Sequence, residues 1–506
     1  MDTKKQKKLS REEIAKIEIG TTEISNPQKW TLFLLFICFI SIYPVIQFCV
    51  QNPLAEWKNV GTIEQNIKTY ETAIEDSSLL RQFLLAPAQE VSLNIFQTGN
   101  EKVIVGKDGW LFFSGDCEYL VNPGFLRQNV MHKRLLKGVQ PDPLKAILDF
   151  NRQLKMRGIQ LILLPVPVKP MIYPDMLNGN RAPLQNPSFS EFKQRLEEAG
   201  ISVLDLADDF TKMRNSGVEP YLKTDTHWSP EGMLLTAMKT AEAIKGQPVP
   251  VPKGIRKQIS AHGDIALMLK LPDISKYFPA ESVSITDYNS PIQRNSRILL
   301  LGDSFSNIYS LPAMNWGDNG GFAEALGACL GEPIDAILRN DAGAFSTRQL
   351  LANELKRGRD RLEGKQILIY EFAIRELANG DWKILDMTVG NAKESHFLCV
   401  TEEKTVSATV LAISPVPRPY SAPYKDHVMS LHLGDIDEGS EQAIVYIVSM
   451  QNNIWTSAAK LRVGDRIKIQ LSPWSRMEQK FGSWNRSEFD DEELALADPA
   501  FGILTK

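Results

Sequence analysis

The chain has 506 residues, 43% of them hydrophobic and 23% charged, which fits a folded protein with a large core and excludes a disordered one. Its net charge is −4 and it carries no basic stripe or RNA-binding signature, so no nucleic-acid partner is expected. The five cysteines (Cys38, Cys49, Cys117, Cys329 and Cys399) form no C-x-x-C pair, so zinc or thioredoxin-like chemistry is not expected, and the last three allow at most one disulfide; the reading includes no metal and no cofactor.

Residues 1–29 form a polar tail with Lys4, Lys5, Lys7, Lys8, Arg11, Lys16 and Lys29. Residues 31–50, "TLFLLFICFISIYPVIQFCV", carry no charged side chain. About 20 such residues cross a bilayer as a helix. Trp30 and Lys29 suit the inner interface, and Lys58 is the only cation just beyond the run. The positive-inside rule then places the tail in the cytoplasm and the rest of the chain outside it. A cleaved signal peptide would have a shorter apolar core and a small-residue exit, and "VIQFCVQNPLAEW" offers none. Residues 30–50 are therefore read as an uncleaved single-pass inner-membrane anchor. Residues 51–100 read as a helical stalk, with apolar spacing at Ile63, Ile67, Tyr70 and Ile74.

Residues 101–395 alternate strand and helix signals. The apolar runs at 159–167, 201–206, 297–304, 333–338 and 366–372 predict five strands covered on both faces. Between them, "DPLKAILDFNRQLKMRG", "SFSEFKQRLEEAG" and "STRQLLANELKRG" read as helices that end in Gly, the third capped by Ser346 or Thr347. Such alternation predicts an α/β domain, a parallel sheet flanked by helices, with ligands beyond the carboxyl ends of its strands. Residues 400–506 lose the helical rhythm and read as a small all-β domain, a barrel or sandwich. Its Trp455, Trp474, Trp484, Tyr420 and Tyr424 read as core packing ahead of a sugar-stacking surface.

"LLLGDSFSN" (299–307) ends a buried strand in a hydroxyl, Ser304. A serine needs a base to become a nucleophile. Of the six histidines, His227 has the densest context, "YLKTDTHWSPEG" (221–232). Ser229 is a helix cap, Pro230 suits the first helical position and Glu231 the first turn. Asp225 and His227, two apart on extended backbone, would point to one side, Asp225 holding one imidazole nitrogen while the other faces Ser304. Trp228 would wall the site, and Asp303 would cap or orient the loop. Backbone N–H groups at the helix start after "GDS" would form an oxyanion hole. Lys169 and Arg375 are candidate contacts to an acidic or hydroxylated sugar; the competing reading is ordinary surface charge.

"TDTHWSPEG" and "LLLGDSFSN" together resemble the SGNH-hydrolase-like polysaccharide O-acetyltransferases of the alginate-acetylation type, the AlgJ/AlgX family. "KDGWLFFSGD" (107–116), "LLPVPVKPMIYPD" (163–175), "HGDIALMLKLP" (262–272) and "IYEFAIREL" (369–377) resemble further family segments. The last brings Tyr370, where a Trp is expected, and Glu371 into the candidate substrate-binding set. The resemblance implies an SGNH-like fold, Ser304 as nucleophile, His227 as general base and Asp225 as its orienter. It also implies an acetyl-Ser intermediate in the periplasm, an exported polysaccharide acceptor, and a membrane-bound O-acyltransferase partner that supplies acetyl groups. The residues alone leave two alternatives open: an acetyl esterase using the same triad, and a non-catalytic polysaccharide-binding or scaffold subunit.

Overall fold

The protein is described by a computed structural model covering residues 25–51, 78–179, 184–340, 343–390, 397–419, 424–482, 484–489 and 497–505, with single residues 11, 67, 491 and 494. The chain divides into two units, Met1–Leu84 and Leu85–Lys506.

In the first unit, helix α1 runs Asn26–Gln51. It starts a few residues before the expected anchor, where the Gln28 side chain accepts twice from Ser25. The Ser25 amide donates to Gln28 Oε1 at 2.8 Å, and its hydroxyl does so at 2.9 Å. The 22-residue stretch Asn26–Gln47 is long and apolar enough to cross a membrane. The basic positions of the tail other than Arg11 and Lys29, and the stalk positions Ile63, Tyr70 and Ile74, lie outside the described residues.

Helix α2, Leu79–Phe96, falls where the stalk was expected, but its C-terminal part packs on the body. Tyr277 donates to Glu90 at 2.6 Å, and Asn94 donates to the Tyr277 hydroxyl at 2.9 Å. Next come a small antiparallel pair, β1 (Val103–Val105) and β2 (Leu111–Phe113), and helix α3 (Ser114–Val121). Helix α4 (Pro143–Lys155) opens as its sequence dictates: Asp142 accepts from the Lys145 amide and Pro143 takes the first position. Gly158, at φ 74°, turns the chain out after it. Leu144, Ile147, Phe150 and Leu154, spaced three and four apart, are buried. Each such burial contributes about 1.5–3 kcal/mol.

The five expected strands are all present: β3 (Gln160–Val166), β4 (Ser202–Val203), then, after helix α5 (Pro230–Lys245) and an antiparallel pair β5 (Ile255–Ala261) and β6 (Glu281–Asp287), β7 (Ile298–Gly302), β8 (Asp335–Leu338) and β9 (Ile367–Ala373). The sheet order is β4-β3-β9-β7-β8, and every pairing is parallel. Strands β7 and β9 are buried along their whole length, so both sheet faces are covered. Helix α6 (Ser304–Asn307) follows β7, and helix α7 (Ser346–Lys356) precedes β9. The α7 expectation needs correcting. Its N-cap position is Phe345, and Ser346 and Thr347 are its first two helical residues.

In the C-terminal region, β10 (Lys404–Ile413), β11 (His427–Gly434), β12 (Ala443–Gln451), β14 (Arg466–Pro473) and β16 (Ala500–Leu504) pair in a closed ring, with the short β13 (Ile454–Trp455) and β15 (Arg486–Ser487) at its margins. The small β domain is thus a barrel, and closure leaves those five strands without a free edge. Alternate residues such as Val406, Ala408 and Val410 face its core. Its aromatics pack: Trp474 against Tyr446, Trp484 against Phe481, and Tyr424 against His427. Trp455 donates to the Pro417 carbonyl at 2.9 Å. Tyr420 lies outside the described residues. The barrel and the α/β body both lie within the unit Leu85–Lys506. Arg339, just past β8, donates to the Arg486 carbonyl at 2.6 Å. All five cysteines are free thiols.

Candidate active site

The G-D-S turn at the end of β7 is built by three specific demands. Gly302 sits where a Cβ would stand 2.5 Å from Ser306 Oγ and 3.0 Å from Glu371 Oε2, so only glycine fits. Asp303 caps α6 by accepting from the Phe305 amide at 2.8 Å, and its other oxygen accepts from the Ala373 amide at 2.8 Å. That pair of bonds ties the end of β7 to the end of β9. Ser304 then occupies the first helical position, half-buried at the carboxyl end of the sheet. Neither its amide nor its hydroxyl has a hydrogen-bond partner among the described residues.

Beneath the turn, Glu371 Oε2 accepts from the Asp303 amide at 2.9 Å and from Ser306 Oγ at 2.6 Å. Burial, reinforced by the charge of Asp303, pushes the Glu371 carboxyl well above its ordinary range. Its two hydrogen bonds brace the loop.

Asp225 and His227 meet, though not on extended backbone. The segment bends, and the Asp225 carboxylate folds over it. Oδ1 accepts from the His227 amide at 3.1 Å and lies 2.7 Å from ring Nδ1. Such an aspartate-centred turn gives one carboxylate both the backbone and the ring of the residue two positions on. Oδ2 accepts from the Asp264 amide and from Trp316 Nε1, each at 2.9 Å. Burial alone would raise the Asp225 carboxyl, but the His227 contact and the amide donors hold it down at about 2. Burial pushes the imidazole down, and the hydrogen bond and charge of Asp225, with the fields of Asp264 and Asp303, lift it above its ordinary value.

With Nδ1 turned to a carboxylate, that nitrogen carries the proton, and the lone pair of neutral His227 sits on Nε2. Nε2 is buried and has no partner among the described residues. The ring lies against Phe305, centroid to centroid 4.8 Å, which brings it to the residue next to Ser304. Trp228 also packs edge-on against Phe305, centroid to centroid 5.2 Å. Its own helix starts as expected: Ser229 Oγ accepts from the Gly232 amide at 3.0 Å, with Pro230 first in α5.

Asp225, His227 and Asp264 bring three donor atoms within 4.8 Å of one another. Both Asp225 oxygens and Asp264 Oδ1 already accept from protein donors, and His227 Nδ1 faces Asp225, so the set fits a proton-handling cluster better than a cation site.

Four of the candidate oxyanion- or substrate-binding residues have other partners. Lys169 is fully buried and donates to the carbonyls of Leu111 and Lys223 at 2.9 and 3.2 Å; burial holds its ammonium down at about 8. Tyr370 is fully buried, its hydroxyl bonded to the Ala344 carbonyl and accepting from Arg348 at 3.2 Å. Glu371 braces the loop as described. Arg375 pairs with the buried Asp116 at 2.8 Å. Long charged side chains in this body serve the interior, which residue type alone did not reveal. Phe305 already gives its amide to Asp303, which leaves the Ser304 amide as the free N–H at the helix start. A cleft of about 930 Å³ lies at the seam between β8 and the barrel; neither Ser304 nor His227 lines it.

Asp264 and Trp316 were not singled out from sequence. They lie 39 and 91 residues from Asp225, and only the fold brings them together.

Comparison with known proteins gives the chain's family. A probable alginate O-acetylase AlgJ of Pseudomonas aeruginosa is 31% identical over 152 residues, 30% of this chain and 35% of that protein. The AlgJ of Pseudomonas fluorescens is 26% identical over 302 residues, 56% of this chain and 70% of that protein. The chain thus spans only about a third of the first of these relatives. The O-acetyltransferase domain of Pseudomonas putida AlgJ superposes with a TM-score of 0.41 at 22% identity, covering 55% of this chain and 92% of that one. The family described as "ALGX: SGNH hydrolase-like domain, acetyltransferase AlgX" matches residues 103–374, more than half of the chain, and the protein belongs to that family.

Proposed function

We propose that the protein is an O-acetyltransferase that carries acetyl groups on Ser304 to hydroxyls of an exported polysaccharide. One observation carries this reading: a buried imidazole, held by an ionised carboxylate, whose Nε2 is unpartnered beside the residue that follows a half-buried serine. An orphan buried nitrogen is costly unless it has work to do.

In the first step, Ser304 Oγ attacks the donor's acetyl carbonyl while His227 Nε2 takes the hydroxyl proton. The Ser304 amide, at the start of α6, donates to the oxyanion. The tetrahedral species collapses to acetyl-Ser, and the imidazolium returns the proton to the leaving group. In the second step, His227 deprotonates a sugar hydroxyl, which attacks acetyl-Ser and leaves as the ester; Ser304 regains its proton. Asp225 holds the tautomer and stabilises the imidazolium. Water in place of the sugar hydroxyl would make the same machinery an esterase. The relatives named as alginate O-acetylases support transfer.

The setting belongs to the same reading. Helix α1 anchors the chain in the inner membrane, with the basic tail in the cytoplasm and the site in the periplasm. A membrane-bound O-acyltransferase supplies the acetyl group. The test is to incubate the full chain with an acetyl-ester donor and candidate oligosaccharides, and to follow acetate by mass spectrometry. Acetylated sugar that depends on Ser304 supports transfer. Acetate released to water at an equal rate with and without sugar favours hydrolysis.

A further inference from the structure

The amide of Asp264 is one of the donors that hold Asp225, and the carboxyl of the same residue reaches the imidazole. Asp264 Oδ2 stands 4.0 Å from His227 Nδ1. Its Oδ1 accepts from the amide of Thr226 at 2.6 Å and from the Thr226 hydroxyl at 3.1 Å. Thr226 lies between Asp225 and His227, so one buried aspartate grips the turn from its middle and its first residue. The approach is close because Gly263 precedes it. A Cβ at Gly263 would stand 2.3 Å from the Thr224 backbone and 2.5 Å from the Asp225 nitrogen.

We propose that Asp264 is a positioning residue, a second carboxyl that fixes the Asp225–His227 turn and adds its charge to the field that makes His227 basic. This rests on His227 being the base. A negative charge at this distance favours the imidazolium. Burial, then the charge of Asp225, pushes the Asp264 carboxyl up to about 7, with His227 and Thr226 pulling the other way. The three groups therefore titrate as a set. Asp264 holds a proton most firmly while His227 is neutral, and ionises more readily once His227 has taken the proton of Ser304. The other charges facing the set are Asp303 on the nucleophile turn, and Lys169, Asp116 and Glu281. Removing Asp264 leaves all four in place.

The test uses the full-length chain and a sulfonyl fluoride, followed by peptide mass spectrometry of Ser304 across pH. In that reaction Ser304 Oγ forms the bond to sulfur, fluoride leaves, and His227 takes the proton and passes it to solvent. The acid-side midpoint of the labelling rate reports the base. Asp264→Asn should move the midpoint down by about one pH unit and lower the plateau rate several-fold, as the imidazole loses a stabilising charge. Thr226→Val, a milder change, frees Asp264 Oδ1 from one donor and should move the midpoint the same way by less. A merely structural role would lower the rate without moving the midpoint. An unchanged or raised midpoint in whichever variant folds overturns the assignment. If the wild-type chain labels Ser304 no faster than denatured protein does, the base reading fails first and this assignment with it.

Discussion

Two buried histidines, one in the α/β body and one in the barrel, differ in what their ring nitrogens meet. His227 in the α/β body and His427 in the barrel are each 1% exposed. His427 has both nitrogens satisfied by hydroxyls: Nδ1 is 2.7 Å from Ser449 Oγ and Nε2 is 3.0 Å from Ser487 Oγ. No carboxylate faces it. Burial, aided by Arg339, pushes it down to about 3, so it stays neutral. His227 has a carboxylate on one nitrogen and nothing on the other, and its pKa is raised. A serine near a histidine is thus no mark of catalysis. Under the proposed function, what marks His227 is an acid on one nitrogen and an unpartnered lone pair, among the described residues, on the other.

That contrast can be broken by substitution. The largest effect belongs to Ser304→Ala and His227→Gln, which should each lower acyl transfer by ~10⁴-fold or more while thermal unfolding changes little. Asp225→Asn should cost ~10³–10⁴-fold, because the amide supports the wrong tautomer. Its effect should also show in acid. The Asp225 carboxyl is held at about 2 in the folded state, below the usual value near 4. It therefore contributes stability that is present above pH ~4 and lost as pH falls toward 2, and the Asn variant should lack that loss.

Gly302→Ala comes next, since the added methyl must displace Ser306 or Glu371. We expect about 1–3 kcal/mol of destabilisation in urea titrations, with a slower Ser304. His427→Asn should leave acyl transfer unchanged and cost about 1–2 kcal/mol, by stranding Ser449 and Ser487. In the wild type, the depressed pKa of His427 means that protons favour the unfolded state. Stability should be full above pH ~6.5 and decline toward pH 3. The His427→Asn variant should show a shallower decline over that window. Tyr370→Phe, which strands the Ala344 carbonyl, should be the smallest, at about 0.5–1.5 kcal/mol.

Much of this was readable from the chain. The five parallel strands stood out as unbroken apolar runs because the sheet is covered on both faces. Ser229-Pro230-Glu231 announced α5, and Gly302-Asp303-Ser304 announced the turn. The β5–β6 pair escaped notice because it is mostly half-exposed and its sequence, "IRKQISA" paired with "ESVSITD", offers few apolar residues. The bend that joins Asp225 to His227 escaped because it comes from a side chain bonding its own backbone. Lys169 and Arg375 were misread as sugar contacts because a cation's burial depends on partners such as Asp116, far away in sequence. Asp264 sat inside a segment noted for its resemblance, but its grip on Thr226 exists only in three dimensions.

The most direct test of Ser304 as the acyl carrier is peptide mass spectrometry of the full chain, quenched soon after mixing with an activated acetyl ester. The account predicts acetate on the peptide containing Ser304 in the wild type, and none there in His227→Gln over the same interval. Acetate on another residue, or acetylated product formed at the wild-type rate by Ser304→Ala, would contradict it.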